Sequence, residues 1–227
     1  MKRNLAITAV GSLLTAVTLP AAVIQAIDGP AVATTGVDNV LVTTADDTDN
    51  WIDTLNAGGT TYFGWDWTID NNAGETGAGG FFGGIQFDST GGDGQSNFIL
   101  GNGWFDLDYG GGTGGTVAGS TGQLYVVGET VRLVASVTID VATGLDSWQL
   151  WVDPAVTDGA FPATQVTNIN LGTITQLRHR AGNGTGQTTL ENFVVADDFQ
   201  NAVLPVPEPS SVILLGMSAL LLGKRRR

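Results

Sequence analysis

Along this chain apolar residues recur at alternate positions, with almost no trace of helical spacing, which is the mark of half-buried strands. From Tyr62 to Ile69, the residues Phe63, Trp65, Trp67 and Ile69 fall on one face, and Tyr62, Gly64, Asp66 and Thr68 on the other. Asp70, Asn71, Asn72 and the glycines up to Gly80 then break the run. Residues 81–88 form the next strand, with Phe81, Ile85 and Phe87 together and Gly83 between them allowing close approach. Residues 97–100 and 104–109 pair around the hairpin signal Gly101-Asn102-Gly103. Val131, Leu133, Ala135, Val137, Ile139 and Val141 make a long stripe opposite Arg132, Ser136, Thr138 and Asp140. The turn 142–145 leads into Trp148, Leu150 and Val152, backed by Gln149, Trp151 and Asp153 and stopped by Pro154. Strands over 174–181 and 190–196 follow, joined by the turn 182–186. With 37–43 added, about nine or ten strands are predicted, and turn signals between them favour an all-β, two-sheet antiparallel sandwich over an α/β fold.

Both ends depart from this pattern. Lys2 and Arg3 precede the apolar stretch 5–19, then Pro20 and small residues up to Ala26, the layout of a secretory signal peptide, with cleavage expected after Ala26. At the other end, Pro207-Glu208-Pro209 is followed by an uncharged run over 210–223 and then by Lys224, Arg225, Arg226 and Arg227, a cytoplasmic-side basic stop. That run, at about 14 residues, is short of the roughly 20 a comfortable membrane span needs. An ordinary anchoring transmembrane helix is the alternative to a transient stop. The chain thus divides into a signal helix (1–26), a β-sandwich domain (27–205) and a sorting segment with an apolar helix (206–227).

This tail resembles the PEP-CTERM sorting signal of envelope proteins. The resemblance implies that Pro207, Glu208 and Pro209 are read by an exosortase-type membrane protease after the secretion machinery delivers the chain. The protein would pass transiently through the inner membrane, then reach the envelope surface or the extracellular space.

Charge narrows the partners. Of the 22 acidic residues all but Glu208 lie in the domain, against only Arg132, Arg178 and Arg180, which leaves it near −18. Nucleic acid and anionic lipid are poor partners for such a field, whereas divalent cations and neutral glycans fit it. There is no cysteine, so stability must come from the core, helped by any bound ion. The 33 glycines are about twice average usage and crowd between Gly58 and Gly122, as in a turn-rich β protein.

Leu124 to Pro154, including Asp146-Ser-Trp-Gln-Leu-Trp-Val-Asp-Pro154, is similar to the central hairpin of concanavalin A-like, laminin-G-like jelly rolls, and Leu190-Glu-Asn-Phe-Val-Val-Ala-Asp197 to their last strand. That resemblance implies a jelly roll. Residues 27–50 offer no obvious partner for the closing strand, which would leave it an exposed edge.

Candidate chemistry is sparse. His179, the single histidine, shares a strand face with Leu177 and Ala181 and is expected in the core; alone and without cysteines it cannot build a zinc site. Arg178 and Arg180 share the other face with Gln176, where they would meet carboxylates of neighbouring strands or an acidic sugar. No Gly-x-Ser-x-Gly elbow occurs, and Glu75, Glu129 and Glu191 lack the Glu-x-Asp-x-x-Glu spacing of concanavalin-like glycosidases. Asp46, Asp47, Asp49 and Asp53 suit calcium as a structural ion, or form an acidic surface loop. Trp65, Trp67 and Trp148 sit on apolar stripes and are expected in the core. Trp104 and Trp151 share faces with polar residues and, with Asp106 and Asp108, are the candidates for a sugar platform, against an ordinary solvated face. The resulting expectation is a non-catalytic binding or structural module, associated with extracellular polysaccharide; the alternative is a secreted jelly-roll glycosidase or lyase.

Overall fold

The structure, a computed structural model, describes residues 23–27, 30–34, 39–43, 50–71, 82–91, 96–101, 104–109, 116–124, 126–160, 162–182 and 186–204. The expected signal helix up to residue 22 and the whole sorting segment lie outside them.

Two antiparallel sheets face each other. Sheet A has the order β1 (Val23–Ile27), β13 (Gln187–Ala196), β4 (Gly59–Asn71), β9 (Thr130–Ile139), β10 (Asp146–Val152), β11 (Thr164–Ile169), with β2 (Ala31–Thr34) also pairing with β13. Sheet B runs β3 (Asn39–Thr43), β12 (Thr173–Gly182), β5 (Phe82–Thr90), β6 (Ser96–Gly101), β7 (Trp104–Tyr109), β8 (Thr116–Leu124). This is the expected sandwich, a jelly roll, with the last strand inside sheet A. The closing strand is no bare edge: β2 pairs with its first half and β1 with its second. β1 takes in Val23 to Ala26, residues that the leader expectation assigns to the removed segment.

The alternating residues meet between the sheets. Phe63, Trp65, Trp67 and Ile69 of β4 and Leu133, Ala135, Val137 and Ile139 of β9 pack against Ile85 and Phe87 of β5 and Ile174, Leu177 and Ala181 of β12. Phe63 touches Trp51 and Phe87 edge-on at 5.5 and 5.2 Å, the favoured arrangement for ring quadrupoles. Trp51 belongs to α1 (Trp51–Asn56), which bridges the sheets. Its Asn56 mimics a strand by accepting from the Ile174 amide at 2.9 Å and donating to the Ile174 carbonyl at 2.8 Å. Val141, predicted to continue the β9 stripe, lies past the strand end in the turn and is 65% exposed. There Asp140 accepts from the Ala142 and Thr143 amides and the Thr143 hydroxyl, which ends the strand and holds its carboxyl below the usual range.

Cross-strand threonines fix the β4/β9 register, with Thr60 to Thr138 at 2.8 Å and Thr68 to Thr130 at 2.7 Å. A bulge in β13 then resets its phase. Thr188 and Leu190 point inward, but Asn192 takes a left-handed φ of 50°, which an Asn tolerates, and from there Phe193 and Val195 face the core.

The outer face of sheet A is also covered, which alternation alone did not announce. α2 (Phe199–Val203), capped by Asp198 accepting from the Asn201 amide at 2.8 Å, lays Phe199, Ala202 and Val203 on Tyr62, Val134, Trp151 and Ala196. The Trp151 ring lies tilted against Phe199, with centroids 4.9 Å apart, and its indole N–H donates to the Asp158 carbonyl at 3.1 Å. Gly64 lies under the Ala202 carbonyl, where a Cβ would collide with that oxygen.

His179 is fully buried, as expected. It bonds Thr188 across the sheets at 2.9 Å and meets Trp67 edge-on at 5.1 Å. Burial pulls its pKa down to about 4.

Two outcomes follow from this packing. Gly64→Ala will destabilise the domain by roughly 1–3 kcal/mol, seen as a Tm lower by several degrees, because helix backbone rather than a side chain must move. As for His179, an unfolded chain takes up a proton near pH 6.5 that the folded one refuses until about 4. Stability is therefore complete above that window and falls as the pH drops through it, by up to about 3 kcal/mol. Melting His179→Gln in parallel with the parent at pH 7.5 and 4.5 checks this: the variant should lose less on acidification.

Candidate ligand-binding face

Strand alternation in β5 and β12 puts Ile85, Phe87, Leu177 and His179 into the core, and the intervening residues on the outer face of sheet B. The pairing register sets Gln86 opposite Arg178 and Asp88 opposite Gln176. Side chains then close a network. Asp88 Oδ1 accepts from Arg178 Nη2 at 2.8 Å and from Gln86 Nε2 at 2.6 Å, and its Oδ2 accepts from Gln176 Nε2 at 3.2 Å. Arg180 Nη1 donates to Gln86 Oε1 at 2.7 Å. Gln86, only 1% exposed, is thus the buried hinge of the network, while Arg178 and Asp88 keep 18% and 23% of their side chains in solvent.

Such a network fixes guanidinium and amide planes without disorder, so a ligand meets groups whose entropy is already spent. Its chemistry is hydrogen bonding at a partly exposed surface that carries two guanidiniums and one carboxylate. Both expected partners of Arg178 and Arg180 were left open by the sequence; for Arg178 the structure supplies the carboxylate of a neighbouring strand, Asp88.

The register continues across β6 and β7. Asn97 pairs with Gln86, Asp108 with Asn97, Asp106 with Ile99 and Ser120, and Trp104 with Gly101 and Leu124. Backbone pairing therefore strings Arg178, Gln86, Asn97 and Asp108 into one row over four adjacent strands, and brings three of the four residues expected at a sugar platform onto the same sheet as the network. Trp151 is a correction. It is 2% exposed on sheet A, beneath α2, so its ring offers no open surface. Its polar strand neighbours suggested exposure, and the helix that buries it comes from the far end of the domain.

Of the proposed calcium ligands, Asp46, Asp47 and Asp49 lie outside the described residues, and Asp53 is exposed on α1. Among the described residues no group of three or more His, Cys, Asp or Glu could hold a metal ion. Pro207, Glu208, Pro209 and the basic stop 224–227 also lie outside them. Among the described residues no helix is long and apolar enough to cross a membrane. Gln86 and Asp88 were missed by the sequence reading. Their signal was present in the alternation with Ile85 and Phe87, but nothing local said that Arg178 would arrive opposite.

A second polar constellation lies on sheet A. Arg132 bonds Asp66 Oδ1 at 3.2 Å, the Asn192 carbonyl at 3.0 Å and the Ala202 carbonyl at 2.7 Å, while Asn192 Nδ2 donates to Asp66 Oδ2 at 2.6 Å. Burial draws the guanidinium below its ordinary range and the Asp66 charge opposes this. The cluster ties β9 to β4, β13 and α2, and so works as a structural clasp.

Residues 205–227 match the PEP-CTERM protein-sorting motif. Among curated proteins none matches the chain. Among solved structures, the alginate lyase AlgAT5 of polysaccharide lyase family 7 aligns at 10% identity and TM-score 0.40, over 61% of this chain and 59% of the lyase. The carbohydrate-binding module CBM66 from Bacillus subtilis aligns at 10% identity and TM-score 0.39, over 75% and 83% of the two chains. The CBM40 module of a Ruminococcus gnavus IT-sialidase, bound to α2,6-sialyllactose, aligns at 11% identity and TM-score 0.36, over 80% and 99%. The chain therefore spans less than two thirds of the length of that lyase. A C-terminal sorting motif of this kind implies export, exosortase processing and delivery to the envelope surface.

Proposed function

We propose that this protein is a non-catalytic polysaccharide-binding module, exported by the secretion machinery, held transiently in the inner membrane, and delivered by an exosortase-type protease to the envelope surface or the extracellular matrix. The observation that carries the binding role is the Arg178–Asp88–Gln86–Arg180 network on the outer face of sheet B. Sugar hydroxyls are weak dipoles that need several pre-oriented donors and acceptors at once, and this network supplies them on a rigid strand surface. A domain near −18 repels polyanions over a Debye length, and Arg178 already has its counter-charge. Neutral polysaccharide is accordingly the preferred ligand.

Protein recovered from the envelope or medium should retain neutral glycans on an array. Arg178→Ala and Gln86→Ala should each weaken retention about tenfold, the loss of one charge-assisted or network hydrogen bond, with little change in far-UV circular dichroism. Equal retention by parent and both variants would remove this face from consideration. Release of shortened or unsaturated oligosaccharides during the assay would replace the binding role by glycosidase or lyase activity.

A further inference from the structure

The last described residues before the sorting motif are docked on the outer face of sheet A. α2 has five residues, too short to be helical alone, so its structure comes from docking. Phe199, Ala202 and Val203 are buried there, the Ala202 carbonyl sits on Gly64, and Arg132 Nη2 takes both the Ala202 carbonyl at 2.7 Å and the Leu204 carbonyl at 3.4 Å. The Leu204 amide is itself bonded to the Gln200 carbonyl at 3.3 Å. The motif match begins at the very next residue, and Pro207 is three residues beyond Leu204. Three residues reach at most about 10 Å.

A protease must hold its substrate extended on both sides of the bond it cuts, with backbone groups available to the cleft. While α2 is docked, the Asn201, Ala202 and Leu204 amides are bonded to Asp198 and Gln200 and the Ala202 and Leu204 carbonyls to Arg132, so these groups are withheld from a cleft. We propose that α2 is a latch and Arg132 its catch: the docked helix withholds the Pro207-Glu208-Pro209 element from the sorting protease, and cutting proceeds from molecules whose latch is open. The proposal rests on the reading that the tail is processed. Opening is local, since it frees one short helix and leaves the core between the sheets intact. Processing would then report on the state of the domain, with a newly exported, incompletely packed chain cut faster than a finished one.

The test follows conversion of full-length protein to its shortened form by pulse-chase in cells that carry the sorting machinery, with the new C-terminus identified by mass. A six-residue Gly/Ser spacer between Leu204 and Pro205 leaves every latch contact in place but gives the protease slack. It should speed conversion about fivefold at unchanged Tm. Arg132→Met should speed it too, at lower Tm, whereas Leu133→Ala, which opens a cavity between the sheets instead, should destabilise the protein without matching that acceleration. A spacer variant cut at the parental rate or slower overturns the latch, as does equal acceleration by Leu133→Ala and Arg132→Met. The joint replacement of Pro207, Glu208 and Pro209 by Ala separates the two layers: it must stop conversion in every background, and conversion that continues refutes processing through the motif itself.

Discussion

Sheet A has to be covered on both sides, and most of the architecture answers that demand. β4, β9 and β10 carry apolar residues to the inner face, but Tyr62, Val134 and Trp151 lie on the outer one. A ring the size of Trp151 left in water forfeits a few kcal/mol of burial. α2 is the cover, and a helix on a flat sheet needs a place where backbone can touch backbone. Gly64 provides the place and Arg132 the attachment. The buried guanidinium is tolerable only because Asp66 and three carbonyls surround it, so the four residues Gly64, Asp66, Arg132 and Asn192 stand or fall together.

The Asn192 bulge serves the same constellation. By inserting one residue it lets β13 keep Thr188 and Leu190 inward and still bring Phe193 and Val195 into the core. The residue that absorbs the phase change turns its carbonyl to Arg132 and its amide to Asp66. A defect in strand periodicity thereby ties the last strand to the ninth. On the opposite sheet the β12/β5 register shifts between Ile174 and Gln176 and is regular from there through Arg178 and Gln86, and the polar row runs over paired strands from Arg178 to Asp108.

Legibility from sequence tracked the range of the forces involved. Phe63, Trp65, Trp67 and Ile69 announced β4 because every second residue is large and apolar, and the same held for β9, β10, β12 and β13. His179 could be put in the core from its neighbours Leu177 and Ala181. What escaped was whatever depends on a distant partner. Trp151 looked exposed because its own strand offered only Gln149 and Asp153 as company, and its cover lies in α2. β1, β2, β8 and β11 carry too short or too mixed an alternation to stand out, and their place is set by the strands they join. Asp88 looked like any polar strand residue until Arg178 stood beside it. The charge balance of the domain, by contrast, needed no structure at all, since three arginines among so many carboxylates limit the partners whatever the fold.

Val23 lies opposite Ala196, and Ala196 is two residues from the residue that caps α2. The polypeptide therefore enters and leaves the sandwich at one corner. Ala196 is shared between the two ends, its backbone edge taken by β1 and its outer face by α2, so peeling away the first strand would strip a neighbour from the seat of the last helix.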